Sequence, residues 1–539
     1  TGDNNVVIGY AAFDAAVDTE SENVVIGVGA MGACDQGSHA DADIDNNVAI
    51  GRDALKGGDF DDADKNIDNN VVIGYNAADT TGTISCQKNV FIGADAASGT
   101  WVTATSQQNV AIGYRAMDGP MNAANNNVAI GMDTLGDLAE GDQNTAVGFN
   151  AGLAIHDGSS NTLIGSNSGI TSADTNYNTF VGKDSGYGVQ VTRNTVLGAE
   201  ALNTATNDCD DVVAIGFQAM KAVDGSNSDE CIAIGSYALT DFNATDDNNG
   251  TIAIGYKAGF TGSTGIVFSV GIGWKALYSN NNCCNVAIGY QAAEDFTGQY
   301  STFVGYNAGL NSTSSDSCVA IGQGAMGSSV TTGNSNVCVG AGAGSDLTSG
   351  HSNVFVGGGA GATTVSSIGG DGNIIIGKGA RQSGTAVDNE IAFGNDAAGQ
   401  GTNTVLLGNG SVDSTNGLFC ADTGIATPSD KRIKDKIKDN STGLDYINKL
   451  RTVTYQKRHP EDYPKELQGA FGDAKKPKDW VAKTEVGLIS QEVKAVMDEM
   501  ELDIQGHHTN PQGLQTVKYV SFIIPLVKAV QELSQQVEE

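Results

Sequence analysis

Asn109-Val110-Ala111-Ile112-Gly113-Tyr114-Arg115-Ala116 decides the fold of this chain, because Asn5-Val6-Val7-Ile8-Gly9-Tyr10-Ala11-Ala12 and Asn285-Val286-Ala287-Ile288-Gly289-Tyr290-Gln291-Ala292 say the same thing. The phrase recurs twenty-three times, its glycines running from Gly9 to Gly408 at spacings of 14 to 24 residues. Self-similarity at so short a period means stacked supersecondary units. Val, Ile or Thr always stands three residues before the glycine, and Ile, Val or Leu stands one before, Phe393 being the exception. Side chains two apart on a strand share a face, so both positions are expected to point into the core. Glycine then permits positive φ or close approach of the next coil. Three residues later comes Ala in 19 repeats, otherwise Thr134, Ser168, Ser185 or Ser411, which implies neighbouring backbones in close contact. Asn lies four before the glycine in 15 of the 23 repeats, and stacking would align these side chains as a hydrogen-bonded ladder. Each turn should hold two short strands and two connections. The expected fold is mainly β: a parallel β-solenoid over residues 1–420 with about 23 coils, then a connector at 421–428 and a small α/β domain at 429–539.

Composition divides the chain at the same place. Six of the seven prolines lie after residue 420, Pro120 being the other. Residues 1–420 carry 12 Lys and Arg against 44 Asp and Glu, a net of −32, while residues 421–539 carry 17 against 19, a net of −2. So acidic a surface repels nucleic acid and anionic membranes, which excludes those partners. No apolar run approaches 18 residues, so no membrane insertion is expected. Thr1 is not an initiator methionine and no signal-like segment follows it, so the start is expected to be processed or truncated.

Nine cysteines cannot all pair within one chain, and no C-x-x-C occurs. Small buried hydrophobes are the favoured reading, with zinc and other cofactors excluded. The six histidines show no metal-ligand spacing or nucleophile pairing, and His507-His508 reads as a loop. Asp-rich inserts such as Phe60–Asp64 and Asp208–Asp211 read as solvated loops rather than calcium sites, since the glycine-rich nonapeptide of calcium-binding rolls is missing. Aromatic residues follow the glycine at Tyr10, Tyr75, Tyr114, Phe149, Phe217, Tyr256, Trp274, Tyr290 and Tyr306. Stacked, they form a discontinuous stripe, with two readings: a sugar-binding face, or packing between coils or subunits, the latter preferred.

The repeat phrase resembles that of trimeric autotransporter adhesin heads, which are left-handed parallel β-rolls associated as threefold trimers. The resemblance implies a trimeric shaft. The period here is longer than in those heads and no membrane-anchoring barrel is read at the end, so their matrix binding is not carried over.

The C-terminal segment reads differently. A helix is expected near Gly443–Leu450, a strand at Thr452–Arg458, a loop insertion at His459–Lys483, and a strand at Val486–Ile489 leading into a helix at Ser490–Met500. In the terminal helix, 522–539, Ile523, Leu526, Val530, Leu533 and Val537 step 3, 4, 3, 4, the seam of a parallel coiled coil. Ser429-Asp430-Lys431-Arg432-Ile433-Lys434, with the later Val486-Gly487-Leu488-Ile489-Ser490-Gln491-Glu492-Val493 and Tyr519–Leu533, resembles the endosialidase-type intramolecular chaperone of phage tail spikes and fibres. That resemblance implies self-cleavage by a Ser429–Lys434 dyad at the Pro428–Ser429 bond. A desolvated lysine crowded by cations is a competent base for a serine hydroxyl.

The resulting expectation is a homotrimeric viral tail fibre or spike. It would bind a host-surface receptor, a glycan being one candidate, either at the last coils (about 373–420) or on the shaft loops, and would join other virion proteins on its N-terminal side. A chaperone at one end would set the register that similar repeats specify weakly. The alternative is a cell-surface adhesin or filament with the same end domain. No glycosidase is expected, since no carboxylate pair stands out among so many surface acids.

Overall fold

The structure is a computed structural model that describes residues 3–538, apart from 17–19, 35–43, 58–65, 82–83, 102–103, 171–173, 204–208, 223–228, 241–249, 261–266, 280–281, 363–367, 409–435, 465–480, 503–505 and 510–512. The described chain falls into two units, Thr1–Ser335 and Asn336–Glu539.

In the first unit each repeat phrase forms a three-residue strand, from Val6–Ile8 to Val319–Ile321. Successive strands pair in parallel and in register: Val110 with Val128, Ala111 with Ala129, Ile112 with Ile130. Parallel neighbours need a full crossover between them, and here the crossover is the rest of the coil. The result is a parallel β-solenoid. Among the described residues a second strand forms in three consecutive coils, as Ile67–Asp68, Cys86–Gln87 and Ser106–Gln107, with isolated bridges such as Ser312 to Thr331 elsewhere, which corrects the expectation of two strands in every turn. Just past the glycine, residues two and four positions on take positive φ in coil after coil, as at Asp53 and Leu55, Arg115 and Met117, and Glu200 and Leu202. These alternating left-handed residues make a tight turn in coils with and without a second strand.

The glycine requirement is double. Gly113 has φ +146°, and a Cβ there would stand 2.1 Å from the carbonyl oxygen of Gly131 in the next coil. Gly131 stands in the same relation to Gly148. The small residue three positions on is fully buried, as at Ala54, Ala116 and Ala219.

The predicted facing of the strands is wrong. The middle residue of each strand points inward: Ala49, Phe91, Ala129, Leu163 and Phe180 are fully buried or nearly so. Its β-branched neighbours on either side point out, and Ile130, Ile164, Ile288 and Ile321 are exposed. Alternation with period 2 allows either assignment. The interior is narrow and takes one strand residue per coil, together with the left-handed residue four past the glycine. Met31, Leu55, Met117, Leu135, Met220 and Leu277 fill it from that side.

The Asn ladder forms. The Asn47 amide N–H donates to Asn23 Oδ1 at 2.9 Å, and Asn47 Nδ2 donates forward to the Ile67 carbonyl at 2.7 Å. Each buried side-chain amide thus satisfies groups in the coils before and after it. The run ends at Asn194, whose Oδ1 accepts the Val212 N–H at 2.7 Å but whose Nδ2 is buried without a hydrogen-bond partner. Beyond it serine substitutes: Ser301 Oγ accepts the Cys318 N–H at 3.0 Å. A second ladder, two residues earlier in each coil, runs the other way, with the Asn125 N–H donating to Asp142 Oδ1 and the Asp142 N–H to Ser159 Oγ. The acidic residues are therefore partly structural. Asp210 accepts the Thr192 N–H at 2.7 Å, and Asp211 pairs with Arg193. Phe60–Asp64 and Asp208 lie outside the described residues.

In the second unit the same coil continues from Val337–Val339 to Val405–Leu407, with Asn336, Asn353 and Asn373 laddered. Glu390 takes the Asn position there, fully buried, its carboxylate accepting the Ser383 and Gly401 N–H groups. Among the described residues the C-terminal part of this unit holds three α-helices: α1 (Leu444–Lys449), α2 (Ser490–Glu499) and α3 (Ile523–Glu538). Strands Val453–Gln456 and Thr484–Gly487 pair antiparallel. His507–Thr509 is a strand paired with Gln515–Val517, so His507 and His508 are not in a loop as expected.

Candidate functional sites

The aromatic stripe is continuous over part of its expected length. Phe217 meets Tyr237 edge-on at 5.4 Å between ring centroids, and Tyr237 meets Tyr256 likewise at 5.9 Å. Tyr256, Trp274, Tyr290 and Tyr306 then stack, at 6.1, 4.7 and 5.0 Å with interplanar angles of 16°, 6° and 8°. Among the described residues Tyr10, Tyr75, Tyr114 and Phe149 make no ring–ring contact, although Arg52 lies 5.8 Å from the Tyr75 centroid. Three rings that the post-glycine spacing did not flag join the cluster: Tyr237, Phe260 and Tyr278, the last two stacked at 5.2 Å. Phe260 and Tyr278 each stand five residues after a repeat glycine, a column visible once coils are aligned.

Two lysines sit among these rings. Lys257 Nζ lies 4.4 Å from the Phe260 centroid, and Lys275 Nζ lies 4.8 Å from Trp274 and 4.7 Å from Tyr278. Lys275 also pairs with Glu294 at 2.6 Å, a hydrogen bond that raises the lysine pKa above its ordinary value. Face-to-face stacking between coils covers the ring faces of Tyr256, Trp274, Tyr290 and Tyr306. Sugars pack against ring faces, so the geometry supports coil-to-coil packing as the main task of this stripe.

In the C-terminal part, Tyr446, Val493, Met497 and Phe522 make the core, the Tyr446 and Phe522 rings stacked at 6.1 Å. Glu532 of α3 accepts the Leu444 N–H at 2.7 Å, capping the start of α1 with a carboxylate where helix N–H groups lack partners. Gly443 leaves room for it: a Cβ there would stand 2.4 Å from Glu532 Oε2. Tyr519 Oη accepts the Leu488 N–H at 2.9 Å, and Arg451 bridges to Glu492, whose carboxyl it holds below its usual range. The inner face of α3 buries Pro525 and Ala529. Its other face leaves Ile523, Leu526, Val530, Leu533 and Val537 exposed, Val537 at 82%. The predicted seam is thus one uncovered apolar stripe. Pro428, Ser429 and Lys434 lie outside the described residues, so the dyad has no geometry here.

Residues 429–501 span α1, the antiparallel strand pair and α2. They match the family described as the chaperone of endosialidase, a peptidase family. A chaperone-of-endosialidase domain therefore lies C-terminal to the solenoid in sequence. Comparison of the whole chain with curated proteins finds no match. Among the described residues no group of three His, Cys, Asp or Glu side chains could hold a metal ion, and no helix is long and apolar enough to cross a membrane.

Proposed function

We propose that the chain is the subunit of a homotrimeric viral tail fibre or spike, most simply of a bacteriophage, that attaches to a host surface and is assembled by its C-terminal intramolecular chaperone. A trimeric fibre with such a chaperone fits the family match beside a β-solenoid. The observation that carries the trimer is the outward row of Val, Ile and Thr, repeated in register on coil after coil. A continuous apolar row on a soluble surface marks an interface. The uncovered seam of α3 supplies a matching contact at the carboxyl end.

On this reading the seam gathers three chains and fixes their starting register, which in-phase coils specify weakly. Ser429, its hydroxyl proton taken by Lys434, then attacks the Pro428 carbonyl, and the Pro428–Ser429 amide breaks as its nitrogen takes up a proton. Water hydrolyses the resulting ester on Ser429 Oγ, which frees the chaperone and leaves the trimer kinetically trapped. The receptor-contacting surface would lie on the loops or the last coils, with a glycan one candidate ligand. Mass spectrometry of the expressed chain beside Ser429→Ala tests the cleavage. Wild type should give a fragment beginning at Ser429 and the variant only intact chain; an intact wild type would remove the dyad.

A further inference from the structure

Eight cysteines are described. Cys34, Cys86, Cys209, Cys231, Cys318 and Cys338 are buried, and burial pushes Cys86 and Cys231 up to about 12. These behave as small core hydrophobes. Cys283 and Cys284 differ in every respect. Both are partly exposed, they are adjacent in sequence, and their sulfurs lie 2.7 Å apart.

Adjacent side chains on an extended chain point to opposite faces. Here the backbone turns them together, because Cys284 has φ +65°. That is the position five before the repeat glycine, which takes positive φ in one coil after another, as at Asn126, Gln143, Ser160 and Ser317. The turn is held on both sides. The Cys284 N–H donates to the Val267 carbonyl at 3.0 Å in the coil before, and Asn285 Nδ2 donates to the Gly298 carbonyl at 2.9 Å in the coil after. The solenoid therefore presents two convergent thiols in a turn held by the coils before and after it.

We propose that Cys283 and Cys284 are a redox-modification site that closes to a vicinal disulfide when it meets a low-molecular-weight disulfide. The Cys283 thiolate attacks one sulfur of the reagent and forms a mixed disulfide, expelling the first small thiolate. Cys284 then gives up its proton and attacks Cys283 Sγ, expelling the second. One reagent disulfide is reduced to two thiols and one protein disulfide forms, so the two electrons and two protons balance. Adjacent Cα atoms lie about 3.8 Å apart, below the roughly 4.4–6.8 Å of ordinary disulfides, so the bond is strained and easily reduced. The site is thus reversible rather than a structural staple. Burial and the neighbouring thiol hold Cys284 up at about 11, so ring closure is slow at neutral pH and quickens as pH rises.

The test uses the full chain, reduced, then exposed to oxidised glutathione, alkylated under denaturing conditions and peptide-mapped. The peptide carrying both cysteines should lose two hydrogens, resist alkylation and regain it after reduction, while the six buried cysteines take up no glutathione until unfolding. The closing rate should rise about tenfold per pH unit below the Cys284 pKa. Cys284→Ser should trap glutathione on Cys283. Full alkylation of both thiols after exposure, a crosslink to another cysteine, a pH-independent rate, or no trapped adduct in Cys284→Ser would each overturn the proposal.

Discussion

Gly186 lies against the ring of Phe180: a Cβ at Gly186 would stand 2.4 Å from it. The two residues face each other across the interior of one coil, the strand's middle residue against the one four past the glycine. The same relation holds for Phe303 with Gly309 and for Phe355 with Gly361. Where the strand residue is Ala, as at Ala49, Ala129 and Ala214, its opposite is Leu55, Leu135 or Met220. In these coils the two positions trade size, although Ala146 with Gly152 and Ala253 with Gly259 are small at both. Phe180→Ala should cost about 3–5 kcal/mol through the cavity it leaves. Gly186→Leu alone should clash, whereas the double variant should regain much of the loss, since Leu55 and Leu202 already hold the same left-handed conformation. A double-mutant cycle by denaturant unfolding checks it, with a coupling of at least about 1 kcal/mol expected.

The glycine ladder separates two effects that usually travel together. Gly165 combines φ +137° with a Cβ position 2.3 Å from the Gly182 carbonyl oxygen, while Gly324 has φ +61° and nothing within 4 Å. Gly324→Ala should cost only the left-handed strain, about 1–2 kcal/mol. Gly165→Ala must also push two coils apart and should cost several-fold more. Comparing the two by thermal unfolding reads the difference directly.

Ala129 and Ile130 are neighbours that face opposite ways. Ala129→Asp should unfold its coil, because a buried carboxylate there has no partner. Ile130→Asp should leave the coil folded and weaken assembly. Circular dichroism and solution mass together distinguish the outcomes. If Ile130→Asp unfolds the chain instead, the outward assignment is wrong.

Much of this was legible in the sequence. Period, strand positions, the glycine requirement and the Asn ladder follow from residue type at fixed spacing, as with Asn23 and Asn47. The facing of the strands was not legible, because Val110 and Ile112 satisfy a period of 2 equally well facing in or out. Nor was the alternating left-handed turn, since Leu55, Arg115 and Met117 are poor residues for positive φ and only the stacked neighbours hold them there. The aromatic stripe was partly legible: Tyr256 to Tyr306 stand in one column, but Phe260 and Tyr278 enter from another, through the turn that the pattern did not reveal.

Glu532 anchors the terminal helix to the chaperone core through the Leu444 N–H. A charged acceptor of this kind contributes about 1.5–3 kcal/mol. Glu532→Ala should free that amide, and hydrogen exchange at Leu444 should quicken at least about tenfold. Lys528→Ala, which removes only the half-buried ion-pair partner of Glu532 at 3.6 Å, should change it little.

The central claim is that the outward apolar row and the seam of α3 belong to an interface among three copies. Native mass spectrometry of the Ser429→Ala chain tests it most directly, since that variant is expected to keep its chaperone attached. The account predicts a single species of three 55.2 kDa chains, reduced to one chain by aspartate at Ile130, Ile164 and Val530 together. A folded monomer from the Ser429→Ala chain itself would contradict it.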